Sequence, residues 1–113
     1  MKMAQEVRGD VFIVRLTGRL MGGAEADRVK ETILATHGRG TKQILVDLQE
    51  VSWVNSTGLG ILISSHLATA AAGGRLKLMR PSARIRSILA VTRLNTVFEI
   101  YDDEETALES FAG

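Results

Sequence analysis

The chain has 113 residues, 45% of them hydrophobic and 24% charged, with a formal net charge of +1 and no cysteine. A chain of this size buries about two-thirds of its unfolded surface, so one domain over residues 1–113 is expected. Near-neutral charge argues against a nucleic-acid binder, and the absence of cysteine excludes disulfides, thiolate nucleophiles and cysteine metal sites.

Met1–Glu6 carries no apolar signal core, and no run approaches the ~18 apolar residues of a membrane span. The expectation is a cytoplasmic protein without membrane insertion. Val11–Leu16 is a β-branched and aromatic run bounded by Gly9-Asp10 and Gly18, the pattern of a strand covered on most of both faces. Gln5–Arg8 can add a short edge strand through the Gly9-Asp10 turn. Met21-Gly22-Gly23 reads as a loop. From Ala24 onward Ala26, Val29 and Ile33 share one stripe while Asp27, Arg28, Lys30 and Glu31 face away, which predicts an amphipathic surface helix. It should end at His37-Gly38-Arg39-Gly40, with Gly38 left-handed and His37 at the negative end of the dipole.

Ile44–Leu48 is a continuous apolar run of the central-strand type, interrupted by Asp47. Val51-Ser52-Trp53-Val54 follows, and Trp53 reads as a core plug beside the sheet. From Leu59 the stripe Leu59, Leu62, Ile63, His66, Leu67 and Ala70 repeats at helical spacing, opposite a smaller face of Ser64, Ser65, Ala68, Thr69 and Ala72; Gly73-Gly74 ends it. Leu76 and Leu78 alternate with Arg75 and Lys77, as in a strand with one face nearer water. Ser82 suits the cap of a third helix carrying Ile85, Ile88 and Leu89. A fifth strand spans Val97–Tyr101, and Asp102 with Glu105 forms an acidic capping box for a last helix holding Leu108 and Phe111. Strands alternating with helices imply βαβ crossovers and an α/β fold. Bases from Arg75 to Arg93 are followed by acids from Glu99 to Glu109. This segregation reads as solvated faces plus acids suited to the start of the last helix, with a docking surface as the sharper alternative.

The least ordinary chemistry lies in Asn55-Ser56-Thr57-Gly58-Leu59-Gly60, between a buried strand and a long helix. Asn, Ser and Thr all cap helices well, and the helix start attracts anions. The glycine pair lacks the third glycine of a dinucleotide loop, because Ile63 stands there, and no Gly-Lys-Ser or Gly-Lys-Thr follows. Gly58 and Gly60 are therefore expected to let the first turn lie close to the sheet. Asn55-Ser56-Thr57 fits a glycosylation sequon, which has no consequence without a secretory signal. A serine nucleophile needs a base, and His66 is about 15 Å along the helix from Ser56, expected to be hydrogen-bonded and partly buried. No His and carboxylate spacing suggests a metal. No catalytic residue, cofactor or metal ligand is expected. Two readings of Ser56 remain: a helix cap, or an exposed phosphoacceptor.

Ile44–Leu48, Val51, Trp53 and Asn55–Gly60, together with Leu16-Thr17-Gly18-Arg19-Leu20, resemble the signature of STAS domains, typified by bacterial anti-sigma factor antagonists. The likeness covers nearly the whole chain. It implies a mixed sheet of four to five strands packed with about four helices and no catalytic activity. It further implies binding of an anti-sigma factor that is also a serine kinase, phosphorylation at Ser56, with Thr57 secondary, and a serine phosphatase that reverses it. Met21, Gly22, Gly23, Asn55, Ser56, Thr57, Gly58 and Leu59 would border the partner. Other members serve as scaffold subunits or as partners of lipid or anion transporters, without a serine switch. The chain departs from the family pattern at Asn55 and Met21, where Asp is common, so it offers a kinase less negative charge.

Overall fold

The computed structural model describes residues 1–112; Gly113, the last residue of the expected domain, lies outside them. Strands β1 (Lys2–Arg8), β2 (Val11–Leu20), β3 (Gln43–Val54), β4 (Arg75–Met79) and β5 (Ile100–Tyr101) form one sheet in sequential order. Only β1 runs antiparallel, joined to β2 through the Gly9-Asp10 turn; the remaining pairs are parallel. Helices α1 (Gly23–Gly38), α2 (Ser56–Ala71) and α3 (Ala83–Val91) make the crossovers, and α4 (Glu104–Phe111) ends the described chain. Because successive parallel strands are added in one direction, crossovers of one hand put α1, α2 and α3 on the same face. The main core lies there, built from Val14, Leu16, Val46 and Leu48 of the sheet with Val29, Ile33, Leu62, Ile85 and Leu89 of the helices. Ala107 and Phe111 of α4 cover a smaller core on the other face, over Ile13, Leu45 and Met79. The expected α/β architecture, with a mixed sheet and four helices, is the observed one.

Several local expectations are corrected. β3 does not stop at Leu48 but runs on to Val54, and register shifts against β2 fall between Arg15 and Thr17 and between Gly18 and Arg19. These shifts break the two-residue alternation, so Trp53 points out with 37% of its surface exposed instead of plugging the core. The left-handed residue after α1 is Gly40, not Gly38, which stays helical. The buried face of α2 is Gly58, Leu59, Leu62, Ser65 and Thr69, so Leu67 is exposed and part of the small face turns inward. That choice lets α2 approach α1, where His37 Nε2 lies 2.9 Å from Thr69 Oγ1 and Thr69 donates to the Ser65 carbonyl. β5 keeps only two residues, because Leu94–Thr96 is a 3₁₀ turn and Val97 is exposed. Asp103, one residue later than expected, caps α4 by accepting from the Thr106 amide.

β4 is covered on both faces. Lys77 is buried, its Nζ donating to Ser110 at the carbonyl and the hydroxyl and lying 4.6 Å from the Phe111 ring centre. Asp47 is buried too. Its carboxylate accepts from Arg15, from Arg80 at 2.7 Å and from the Gln49 amide. Burial raises the Asp47 pKa, but the bonds from Arg80, Gln49 and Arg15 outweigh it and hold the carboxyl below its usual range. Arg15 also meets Glu6 and Glu104, and Arg8 meets Glu104, so this cluster ties β1 and α4 to the sheet. Part of the charge segregation ends in pairs between the two blocks, Arg86 with Asp102 and Lys77 with Glu99.

Candidate functional site

The site lies where β2 and β3 end side by side. Leu20 pairs with Val54, and the two chains then enter the Met21–Gly23 loop and the start of α2. The Asn55 backbone amide donates to the Leu20 carbonyl at 3.3 Å, extending the contact one residue past the ladder. Of the three cap candidates the structure selects Asn55: its backbone is extended and its Oδ1 accepts from the Gly58 amide at 2.8 Å. Ser56 is therefore the first helical residue, not the cap. It is exposed, and its hydroxyl donates to no group among the described residues. A capping serine would have its oxygen engaged by the helix; this one is free.

Gly58 is required by contact. A Cβ there would lie 2.1 Å from the Leu20 carbonyl oxygen, so no larger residue lets α2 start this close to β2. Gly60 has open space around it, which corrects the expectation that both glycines serve close packing. Gly22 combines a φ of +100° with a Cβ position 2.5 Å from the Thr57 methyl, so a side chain at this loop position would be strained and would collide with Thr57.

Of the expected partner-facing residues, Met21, Gly23, Ser56 and Thr57 are exposed, and Gly22 and Asn55 are partly covered. Gly58 and Leu59 are buried and form the floor. The first turn of α2 contains no acid, so the partial positive charge of a sixteen-residue helix is uncompensated at Ser56. Trp53 is an exposed neighbour that sequence reasoning does not find, with the Arg84 guanidinium 5.9 Å from its ring centre. Alternation along β3 carries no signal for it, because the register shift decides the direction.

His66 is no base for Ser56. It packs edge-on against Phe98 with centroids 5.1 Å apart, and its Nδ1 is buried without a partner, which corrects the expectation of a hydrogen-bonded histidine. His37 is held in the α1–α2 contact, and burial, with a smaller effect of Lys42, pushes its pKa down. Among the described residues no group of His, Asp and Glu has metal-binding geometry, and no helix is long and apolar enough to cross a membrane.

An exposed hydroxyl at a helix start, at the carboxyl ends of parallel strands in a five-stranded mixed sheet, marks a small α/β domain. The STAS domain family model matches residues 2–107, and the chain belongs to that family. A Thermotoga neapolitana homologue of the protein TM1081 is 31% identical over 75 residues, spanning 66% of this chain and 66% of that relative. The anti-sigma F factor antagonist of Paenibacillus polymyxa is 26% identical over 109 residues, 96% of this chain and 92% of that one. The anti-sigma factor antagonist SpoIIAA in its unphosphorylated form superposes with a TM-score of 0.74 at 22% identity, covering 99% of both chains. Its phosphorylated form gives a TM-score of 0.75 at 22% identity, over 96% of this chain and 98% of that one. The homologues of this STAS domain thus include anti-sigma factor antagonists.

Proposed function

We propose that this chain is an anti-sigma factor antagonist of the cytoplasm. It binds an anti-sigma factor that is also a serine kinase, and phosphorylation of Ser56 releases it. Thr57 is the secondary acceptor, and a serine phosphatase resets the switch. The chain acts as a binding module and supplies no catalytic group. The observation that carries the reading is the free hydroxyl of Ser56, exposed at the start of α2 because Asn55 takes the capping role. Similarity to the Paenibacillus antagonist over 96% of the chain supports the partner class.

The physical consequence of modification follows from charge. A phosphate adds about −1.5 to −2 charges at pH 7, which a helix start accommodates without melting. The same charge placed against a covering partner is unmatched, and each 1.4 kcal/mol of repulsion or desolvation weakens binding about tenfold. Binding is therefore switched while the fold persists.

The test is to incubate the chain with the candidate kinase and ATP and map phosphate by mass spectrometry. Phosphate on Ser56, its absence in Ser56→Ala, and affinity at least about 100-fold lower for Ser56→Asp are the expected results. An unmodified Ser56 together with unchanged binding by Ser56→Asp would sink the switch. Neutral Asn55 and Met21, in place of carboxylates, favour a second reading: a non-switching STAS subunit of a signalling scaffold or of a lipid or anion transport complex. That outcome of the same experiment would support it.

A further inference from the structure

The side-chain amide of Asn55 makes two bonds in opposite directions. Its Oδ1 accepts from the Gly58 amide at 2.8 Å, and its Nδ2 donates to the Met21 carbonyl at 2.9 Å. The first bond caps α2. The second reaches across to the loop that follows β2, whose Gly22 and Gly23 have φ of +100° and +78°. Such glycines give the loop many alternative conformations, so a tether there limits real freedom. Gly22 also abuts the Thr57 methyl, which places loop and helix start in direct contact.

A carboxylate cannot reproduce this pair of bonds. Ionised Asp only accepts. It would keep the bond from Gly58 but set a negative oxygen against the Met21 carbonyl, acceptor facing acceptor. The difference between Asn and Asp at this position is therefore geometric as well as electrostatic.

We infer that Asn55 is a positioning residue whose amide straps the Met21–Gly23 loop to the first turn of α2, so that both halves of the partner surface are presented as one ordered piece. The strap stands on the two bonds alone; its effect on affinity rests on the proposal that loop and turn together meet the partner. Ordering a loop at the moment of binding lowers affinity, and the strap removes that loss in advance.

The experiment compares the full chain with Asn55→Asp and Asn55→Ala by ¹⁵N relaxation. In the unsubstituted chain the Gly22 and Gly23 amides should have order parameters near those of rigid backbone, about 0.85, falling toward about 0.6 in Asn55→Asp at pH 7. The Gly58 amide shift should report an intact cap in Asn55→Asp and a lost one in Asn55→Ala. Lowering the pH until the new carboxyl is protonated gives it an O–H to donate, a point that the cap and the helix start shift below its ordinary value of about 4. Loop order relative to the unsubstituted chain at the same pH should return in Asn55→Asp and not in Asn55→Ala. A merely structural role would give no such return. Unchanged loop order in Asn55→Asp at neutral pH, or no recovery on acidification, overturns the strap. In the partner assay, with Ser56 unmodified, Asn55→Asp should bind about fivefold more weakly, the worth of one hydrogen bond. A loosened loop with unchanged affinity overturns the joint surface while leaving the strap, and a rigid loop with normal Ser56 phosphorylation overturns the strap while leaving the switch.

Discussion

Two polar clusters, the charged Asp47 group and the neutral Asn55–Ser56 turn, serve opposite ends. At Asp47 the charges neutralise one another: Arg15 and Arg80 meet its carboxylate, and Arg15 and Arg8 turn to Glu104. At Asn55 the capping side chain satisfies backbone groups, so the neighbouring Ser56 hydroxyl is left without a partner. The first cluster locks α4 and β1 to the sheet. The second satisfies its backbone groups and leaves one exposed hydroxyl outside. The difference teaches how to tell a structural polar cluster from a candidate site: count which groups are already satisfied, not how many are polar.

Breaking the frame of the second cluster should have the largest effect. In Gly58→Val the new Cβ meets the Leu20 carbonyl and the Val54 side chain, and urea denaturation should show a loss of about 3 kcal/mol. Asp47→Ala comes next. It strands Arg80 and leaves Arg15 to Glu6 and Glu104, and because both arginines remain about a quarter exposed, water recovers part of the loss; about 2 kcal/mol is expected in the same assay.

The same carboxyl gives the pH dependence. Its folded pKa lies below the unfolded one, so its contribution is fully present above about pH 4 and is lost as the pH falls through the folded value. Acid titration of stability should therefore be flatter in Asp47→Ala than in the unsubstituted chain. Asn55→Ala, which removes one cap, should reduce stability by about 1 kcal/mol. Ser56→Asp should have the smallest effect, within about 0.5 kcal/mol, because the residue is exposed and a helix start favours an acid. A loss from Ser56→Asp as large as that from Asp47→Ala would erase the contrast between the clusters.

Much of the fold is legible from pattern. The apolar runs of β2 and of the first half of β3, the stripe of α1 and the cap at Ser82 follow from side-chain periodicity and local hydrogen bonding. The turn at Asn55–Gly60 is legible as well, because Asn, Ser, Thr and glycine between an apolar strand and an apolar helix mark a capped, closely packed helix start. Where pattern fails, a neighbour decides. Lys77 looks solvated by alternation but is buried, because α4 brings Ser110 and Phe111 to its amine. Leu67 looks buried by helical spacing but faces out, because α1 takes the small face of α2 instead.

By itself the sequence determined the alternation of strands and helices, the central apolar strand and the small polar turn at Asn55–Gly60, since each depends on contacts within a few residues along the chain. Tertiary structure decided which polar group in that turn is free. Ser56 is exposed because Asn55 caps α2, Asn55 is held by the ends of β2, and Gly58 lets α2 rest on Leu20. The cap joins residues only three apart, but Asn55 with Met21 and Gly58 with Leu20 are more than thirty residues apart in the chain, and the parallel pairing of β2 with β3 brings them together.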